Sequence, residues 1–221
     1  MHHTATKNNV QDAPETSGQT IRWWAPAYDA VTWLATFGQE PAIRRQTLKA
    51  AALKPGEKVL DVGCGTGTLS IAAGRRVRPD GEVTGIDASP EMIALARRKA
   101  ARRGSAAGFQ VAPVETLPFA DESYDVVLSS LMLHHLPDDV KEKGMAEVFR
   151  VLKPGGRFVA VDLTAAGTSF ASRVIRQIGH KMPRDYAARL MAAMTAAGFT
   201  AVDERKTRFG YLAFITAAKG L

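Results

Sequence analysis

The sequence predicts an α/β protein built on a doubly wound, seven-stranded and mostly parallel sheet with an antiparallel hairpin at its C-terminal edge. Three observations predict it. Short apolar runs alternate with amphipathic helical stretches between residues 40 and 163, the pattern of parallel strands joined by crossover helices. A glycine-rich turn, Asp61-Val62-Gly63-Cys64-Gly65-Thr66-Gly67, joins the first of these strands to a helix. Two β-rich runs, 200–206 and 210–218, close the chain and read as an antiparallel pair, an addition that large sheets commonly carry at an edge.

Taken in order, residues 1–19 are polar and aperiodic and read as a disordered tail. Residues 20–221 read as a single domain, a length that supports a full core. The opening stretch, 20–53, gathers Trp23, Trp24, Tyr28, Trp33 and Phe37, mostly at helical spacings. It reads as helix that either packs on the core or acts as a lid. A helix over 41–53 meets Leu53-Lys54-Pro55-Gly56, whose proline and glycine stop it. Lys58–Val62 is a buried strand, 68–77 a helix and Val83–Asp87 a second strand. Ser89 is an N-cap with Pro90 at the first helical position, and that helix runs to about Arg103. Phe109–Ala112 and Tyr124–Ser129 are strands three and four. Asp138 caps a helix that a second Leu-Lys-Pro-Gly, at 152–155, brings to an end, and Arg157–Leu163 is strand five. Residues 164–183 are irregular and read as a short acceptor-side insertion. Within them Phe170, Val174 and Ile178 stand at i, i+4 and i+8 beside Arg173, Arg176 and Lys181. That stripe either faces the core or meets a lipid surface or an apolar, anionic ligand. An alanine-rich helix, 184–197, closed by Gly198 at C′, precedes the final strands.

Composition narrows the function classes. No run of 18 apolar residues occurs, so nothing predicts a membrane span, and no secretion signal is visible. One cysteine, Cys64, excludes an internal disulfide framework, and a cytoplasmic location is expected. The net charge of +7 is compatible with nucleic acid, an anionic membrane surface or acidic metabolites. However, Arg97, Arg98, Lys99, Arg102 and Arg103 fall at the spacings of a solvated helix face. No basic stretch is interleaved with aromatics as a strand-binding groove requires. A nucleic-acid partner is therefore disfavoured, while peripheral membrane contact stays open.

The chemistry gathers at the strand ends. Glycines at 63, 65 and 67 let the chain turn tightly and approach a ligand without a Cβ, and the following helix offers its first N–H groups. A dinucleotide fingerprint needs Gly-x-Gly-x-x-Gly, but its third glycine position here is Thr68. The spacing points instead to a nucleotide-like ligand without an obligatory pyrophosphate. Asp87 ends strand two, 20 residues after Gly67, where a carboxylate accepts hydrogen bonds from both ribose hydroxyls. Cys64 has no base or cation beside it in sequence and reads as a packing residue. His134 and His135 follow strand four at the carboxyl edge of the sheet. A histidine there either removes a proton from an acceptor or serves as a structural loop residue. Neither has the Cys/His company of a metal site.

Six segments occur in one order: Asp61–Gly67; Gly85-Ile86-Asp87-Ala88-Ser89 with Met92; Leu117-Pro118-Phe119; Tyr124-Asp125-Val126-Val127; Leu133-His134-His135-Leu136; and Arg150-Val151-Leu152-Lys153-Pro154-Gly155-Gly156. Together they resemble the class I S-adenosylmethionine-dependent methyltransferases, which have a Rossmann-like fold. The nearest pattern is the family of ubiquinone and menaquinone C-methyltransferases, over about Tyr28 to Phe158. The resemblance implies S-adenosylmethionine as cofactor and S-adenosylhomocysteine as product. It implies that Gly63, Gly65 and Gly67, with Asp61 nearby, line the methionine and ribose part, and that Asp87 holds the ribose. Ala88 and Met92 then lie along the adenine, Val114 and Glu115 sit at its edge, and Ser130 borders the methionine and the acceptor. Tyr28 would cap the methionine end, and His134 and His135 would stand beside the acceptor.

One position departs from the pattern. Relatives place an acidic residue or Asn two positions before Glu115, where this chain has Pro113. Proline offers neither a side-chain acceptor nor an N–H. Adenine recognition then rests on the Val114 backbone, on Glu115 or on packing, and weaker cofactor discrimination is expected. The implied reaction is methyl transfer to a small, hydrophobic acceptor of quinone-, phenol- or lipid-like kind. The alternatives are methylation of nucleic acid, a non-catalytic module that binds the cofactor, and aminopropyl transfer. The first lacks an Asn-Pro-Pro-Tyr-like tetrapeptide and the last lacks paired acidic residues for a polyamine.

Overall fold

The computed structural model describes residues 29, 33, 34, 36, 38–163, 183 and 185–221. The tail at 1–19, the aromatic residues Trp23, Trp24, Tyr28 and Phe37, and the stripe of Phe170, Val174 and Ile178 lie outside them. Seven strands form one sheet: β1 Lys58–Val62, β2 Glu82–Asp87, β3 Gly108–Val111, β4 Tyr124–Ser130, β5 Leu152–Leu163, β6 Thr200–Lys206 and β7 Leu212–Ala218. Their order is β3-β2-β1-β4-β5-β7-β6. The first five run parallel, and β7 lies antiparallel between β5 and β6. The helices are α1 Glu40–Ala51, α2 Thr68–Gly74, α3 Pro90–Arg102, α4 Asp138–Val151 and α5 Tyr186–Ala196. The strand order reverses between β1 and β4, and ligands bind at the carboxyl ends of strands at such a point.

Alternate residues of each strand serve two cores. Leu60, Val62, Val127, Phe158 and Ala160 pack with Val148 of α4 and Leu190 and Met194 of α5. Val59, Val126, Leu128 and Val159 face the other way, onto Leu48 of α1 and Leu69 and Ala73 of α2. Burial on both faces is why these strands read as unbroken apolar runs. Among the described residues, no helix is long and apolar enough to cross a membrane.

Several boundaries differ from expectation for local reasons. α1 ends at Ala51 because Ala52 turns left-handed, with φ 46°, before the breaker tetrapeptide is reached. α2 stops at Gly74. β5 starts at Leu152, not Arg157: Leu152 pairs with Tyr124, and the register then shifts before Val126 meets Arg157. The glycines between are tied to the chain's end, the Gly155 N–H to the Lys219 carbonyl at 3.0 Å and the Lys219 N–H to the Gly156 carbonyl at 2.9 Å. The second Leu-Lys-Pro-Gly thus ends a helix and begins a strand. Asp138 is the first helical residue, not the cap, and Pro137 precedes it. Its carboxylate pairs with Lys141 at 2.9 Å and Arg189 at 3.0 Å. Trp33 and Leu34 are 55% and 69% exposed, so neither packs in the core.

Candidate active site

The glycine loop leaves β1 and enters α2. Gly63, Gly65 and Gly67 all have positive φ, at 69°, 52° and 75°, a conformation that side chains disfavour. Space is scarce as well. A Cβ at Gly67 would lie 2.6 Å from the Phe109 ring and 2.9 Å from Ala96, and one at Gly63 would overlap the Met132 side chain. These two glycines therefore let the loop settle on β3, α3 and the segment after β4. The Cys64 N–H donates to the Ile86 carbonyl at 2.8 Å, which docks the loop on β2. Burial pushes the Cys64 thiol up, and Asp87 and Asp61 add to the effect, so an inert packing role fits.

Two aspartates support the loop. Asp87 accepts from the Gly65 N–H and the Ser89 N–H, each at 2.9 Å. Ser89 caps α3 as predicted, accepting from the Met92 N–H at 3.2 Å, but Asp87 shares the helix start with it. Burial raises the Asp87 pKa while these two N–H groups oppose the rise. Asp61 is 1% exposed and accepts from the Ser70 hydroxyl at 2.5 Å. Burial pushes its pKa up to about 7; the Ser70 bond opposes this and the Asp87 charge adds to it.

Asp61, Gly63, Cys64, Thr66 and Ser130 line one cleft, which α1 borders with Glu40, Ile43 and Arg44. Arg44 and Glu40 form an ion pair there. Carboxylates and a guanidinium together complement a ligand that carries a sulfonium, an ammonium and a carboxylate. Each Asp87 oxygen also has a second lone pair for a ribose hydroxyl. The residues present thus fit S-adenosylmethionine. Ala88 is half-buried next to Asp87, and Met92 is 1% exposed. The Val114 side chain lies in the core against Gly144, so only its backbone is left for adenine; Glu115 is half-buried.

The expected solvated face of α3 is partly overturned. Lys99 is 8% exposed. Its Nζ donates to Asp29 Oδ2 at 2.5 Å, Thr66 Oγ1 at 2.6 Å and Thr68 Oγ1 at 2.8 Å. Arg97 is exposed as expected, with Nε and Nη2 donating to the Phe109 carbonyl at 3.0 and 2.8 Å. Arg98, Arg102 and Arg103 are exposed as expected. Lys99 shares a helical stripe with Met92 and Ala96, and that spacing was the signal available for its burial.

His134 lies outside the cleft lining but at the same sheet edge. Ser130 of β4 pairs with Val161 of β5, and Asp162 is the next residue. Asp162 is 1% exposed. One of its oxygens meets His134 Nδ1 at 2.5 Å, and the other accepts from the His134 N–H at 3.1 Å and the Tyr186 hydroxyl at 3.2 Å. The Leu163 N–H adds a fourth bond at 2.7 Å. Burial alone would raise the Asp162 pKa, but the His134 charge and these hydrogen bonds outweigh it and hold the carboxyl below the usual range. His135 lies against His134, ring centres 3.9 Å apart and planes tilted by 41°. Ser129, opposite Ala160 on the same face as Asp162, has a buried hydroxyl with no hydrogen-bond partner among the described residues. The sequence reading missed Asp162, Tyr186, Lys99 and Arg44. Asp162 left one trace, a single charge inside the apolar run Phe158–Leu163.

The chain and its fold have known relatives. Residues 59–156 match a methyltransferase-domain family. Over 221 residues the chain is 30% identical to the ubiquinone/menaquinone biosynthesis C-methyltransferase of Geobacter sulfurreducens, covering 89% of this chain and 86% of that protein. It is 36% identical over 142 residues to the protein of the same name from Geotalea daltonii, covering 63% of this chain and 60% of that one. The match therefore spans less than two thirds of that second relative. A solved methyltransferase structure from Aquifex aeolicus shares the fold, with a TM-score of 0.65 and 23% identity over 79% of this chain and 88% of that one. Sheet order, glycine loop and relatives together define a class I S-adenosylmethionine-dependent methyltransferase. Within that class the chain belongs to the family of the ubiquinone/menaquinone-type C-methyltransferases.

Proposed function

We propose that this chain methylates a small, hydrophobic acceptor of quinone- or phenol-like kind, with His134 as general base and Asp162 as the residue that orients it. The observation that carries this reading is the buried His134–Asp162 pair at the carboxyl ends of β4 and β5, the sheet edge that also holds the cofactor cleft, with Asp162 on the face opposite Ser130. The acceptor class rests on the relatives, which are named for ubiquinone and menaquinone biosynthesis. When bound, the cofactor supplies an electrophilic methyl group on a sulfonium leaving group. Gly63, Gly65 and Gly67 bring the backbone close to it. Asp87 takes the ribose hydroxyls, Ala88, Met92, Val114 and Glu115 border the adenine, and Ser130 and Tyr28 border the methionine end. Because Nδ1 of His134 faces Asp162, the carboxylate orients the ring and stabilises the imidazolium that forms when His134 takes up the acceptor's proton. His135 lies against that ring, tilted by 41°.

The nucleic-acid alternative loses support from the charges. Lys99, Arg150 and Arg157 are half-buried or buried and bonded to oxygens of the fold, so the basic total overstates what faces solvent.

The test has two parts. Calorimetric titration of S-adenosylmethionine should show binding that Asp87→Ala weakens about tenfold, roughly 1.4 kcal/mol. Release of S-adenosylhomocysteine should then be followed with demethylated quinones, simple phenols and single-stranded RNA. Turnover with quinones or phenols is expected. Turnover with RNA alone, falling steeply with salt, would replace the acceptor class, and absence of cofactor binding by folded protein would remove the assignment.

A further inference from the structure

Lys99 is costly to bury, and the core of the fold does not require it. The neighbouring residues of its helical stripe, Ala96 and Ala100, pack on Ile71 and Phe109 as ordinary apolar contacts. Its ammonium instead meets three oxygens from two separate segments. Thr66 belongs to the glycine loop, Thr68 opens α2, and Asp29 lies 70 residues away in the chain, N-terminal to α1. The Thr66 hydroxyl, while accepting from Lys99, donates to the other Asp29 oxygen at 2.6 Å. Thr66 and Thr68 flank Gly67 and line the cofactor cleft, so this network forms part of the cleft's wall.

We infer that Lys99 is a positioning residue for methyl transfer, fixing the cofactor loop through Thr66 and Thr68 and latching the Asp29 carboxylate onto it. The inference rests on the cofactor of the class and not on the acceptor proposed above. Lys99 does not touch the reacting atoms. With Asp29 undocked, the buried ammonium would keep two hydroxyls but lose its counter-charge, an unfavourable state. Loop geometry and the Asp29 contact are therefore coupled. A cofactor that binds the loop in this shape also favours the Lys99–Asp29 pair.

The experiment measures binding of S-adenosylhomocysteine to the full chain at equilibrium and by stopped flow. Its variants are Lys99→Met, Asp29→Asn, their double mutant, and Arg98→Met, which removes one charge from the exposed side of the same helix. Lys99→Met and Asp29→Asn should each weaken binding about tenfold, through faster dissociation with association little changed. The double mutant should be no weaker than the worse single variant, and Arg98→Met should match wild type. Three results would overturn the latch: wild-type binding by folded Lys99→Met, additive losses in the double mutant, or an equal loss in Arg98→Met. If Lys99→Met does not fold, Asp29→Asn decides alone, because the Asp29 side chain is 49% exposed and its loss spares the core. Unchanged dissociation from that variant overturns the proposal.

Discussion

The two sides of the sheet hold their polar groups by different means. On the β1–β2–β3 side the cofactor loop is shaped mainly by backbone: three left-handed glycines, the Cys64 N–H on β2, and two N–H groups on Asp87. On the β4–β5 side the polar cluster is built from side chains. His134 comes from a turn, Asp162 from a strand and Tyr186 from a helix. Backbone-built geometry fails when a side chain is added, and side-chain-built geometry fails when one is removed. The first failure should appear as lost stability, and the second as lost turnover in a protein that still binds its cofactor.

The largest effect should come from the second side. Asp162→Asn keeps the shape of the side chain but not the charge that orients His134 and stabilises its protonated form. Turnover should fall by about 10²- to 10⁴-fold, with cofactor affinity within about twofold of wild type, since Asp162 is not in the cleft lining. Single-turnover kinetics beside calorimetry would separate the two quantities. Equal losses of binding and turnover would mean that the two sides are one unit.

The first side is challenged by Gly67→Ala. The new methyl group meets both an unfavourable φ of 75° and the Phe109 ring, and the loss should be about 2–4 kcal/mol in denaturant unfolding. Gly104→Ala isolates the backbone part. Its φ is 58°, but nothing lies within 4 Å of the added carbon, so about 1 kcal/mol is expected. Equal losses at the two positions would show that packing against Phe109 contributes nothing.

This contrast also explains what could be read in advance. The glycine loop and Ser89 show in local spacing, although the glycines settle against Phe109, Ala96 and Met132, which are remote in sequence. Asp162 finds its partners 28 and 24 residues away, and no local pattern records such a pairing. Lys99 stands between these cases: its stripe was visible, but a lysine on a helix is ordinarily solvated, and its partner Asp29 is remote. The early start of β5 was hidden for the same reason, because Leu152 extends the strand only by meeting Tyr124.

Asp61, like Lys99, is a side-chain element on the backbone-built side, a buried carboxyl held by one hydroxyl, and it gives the most specific test. Its pKa rises from 3.8 to about 7 in the folded protein. Between these values the native state keeps a proton that the unfolded chain has released. Stability from this group is therefore full at low pH, declines as pH rises through that window, and levels off above it. The groups with lowered pKa values, Asp162 among them, push the total the other way, so the wild-type curve alone is not diagnostic. Asp61→Asn cannot ionise and leaves those other groups in place. The stability of wild type relative to Asp61→Asn should then fall by about 1 kcal/mol per pH unit between about pH 5 and 7, as read from urea midpoints. A difference independent of pH would mean that Asp61 is ionised in the fold throughout, and that charge as well as backbone shapes the cofactor side.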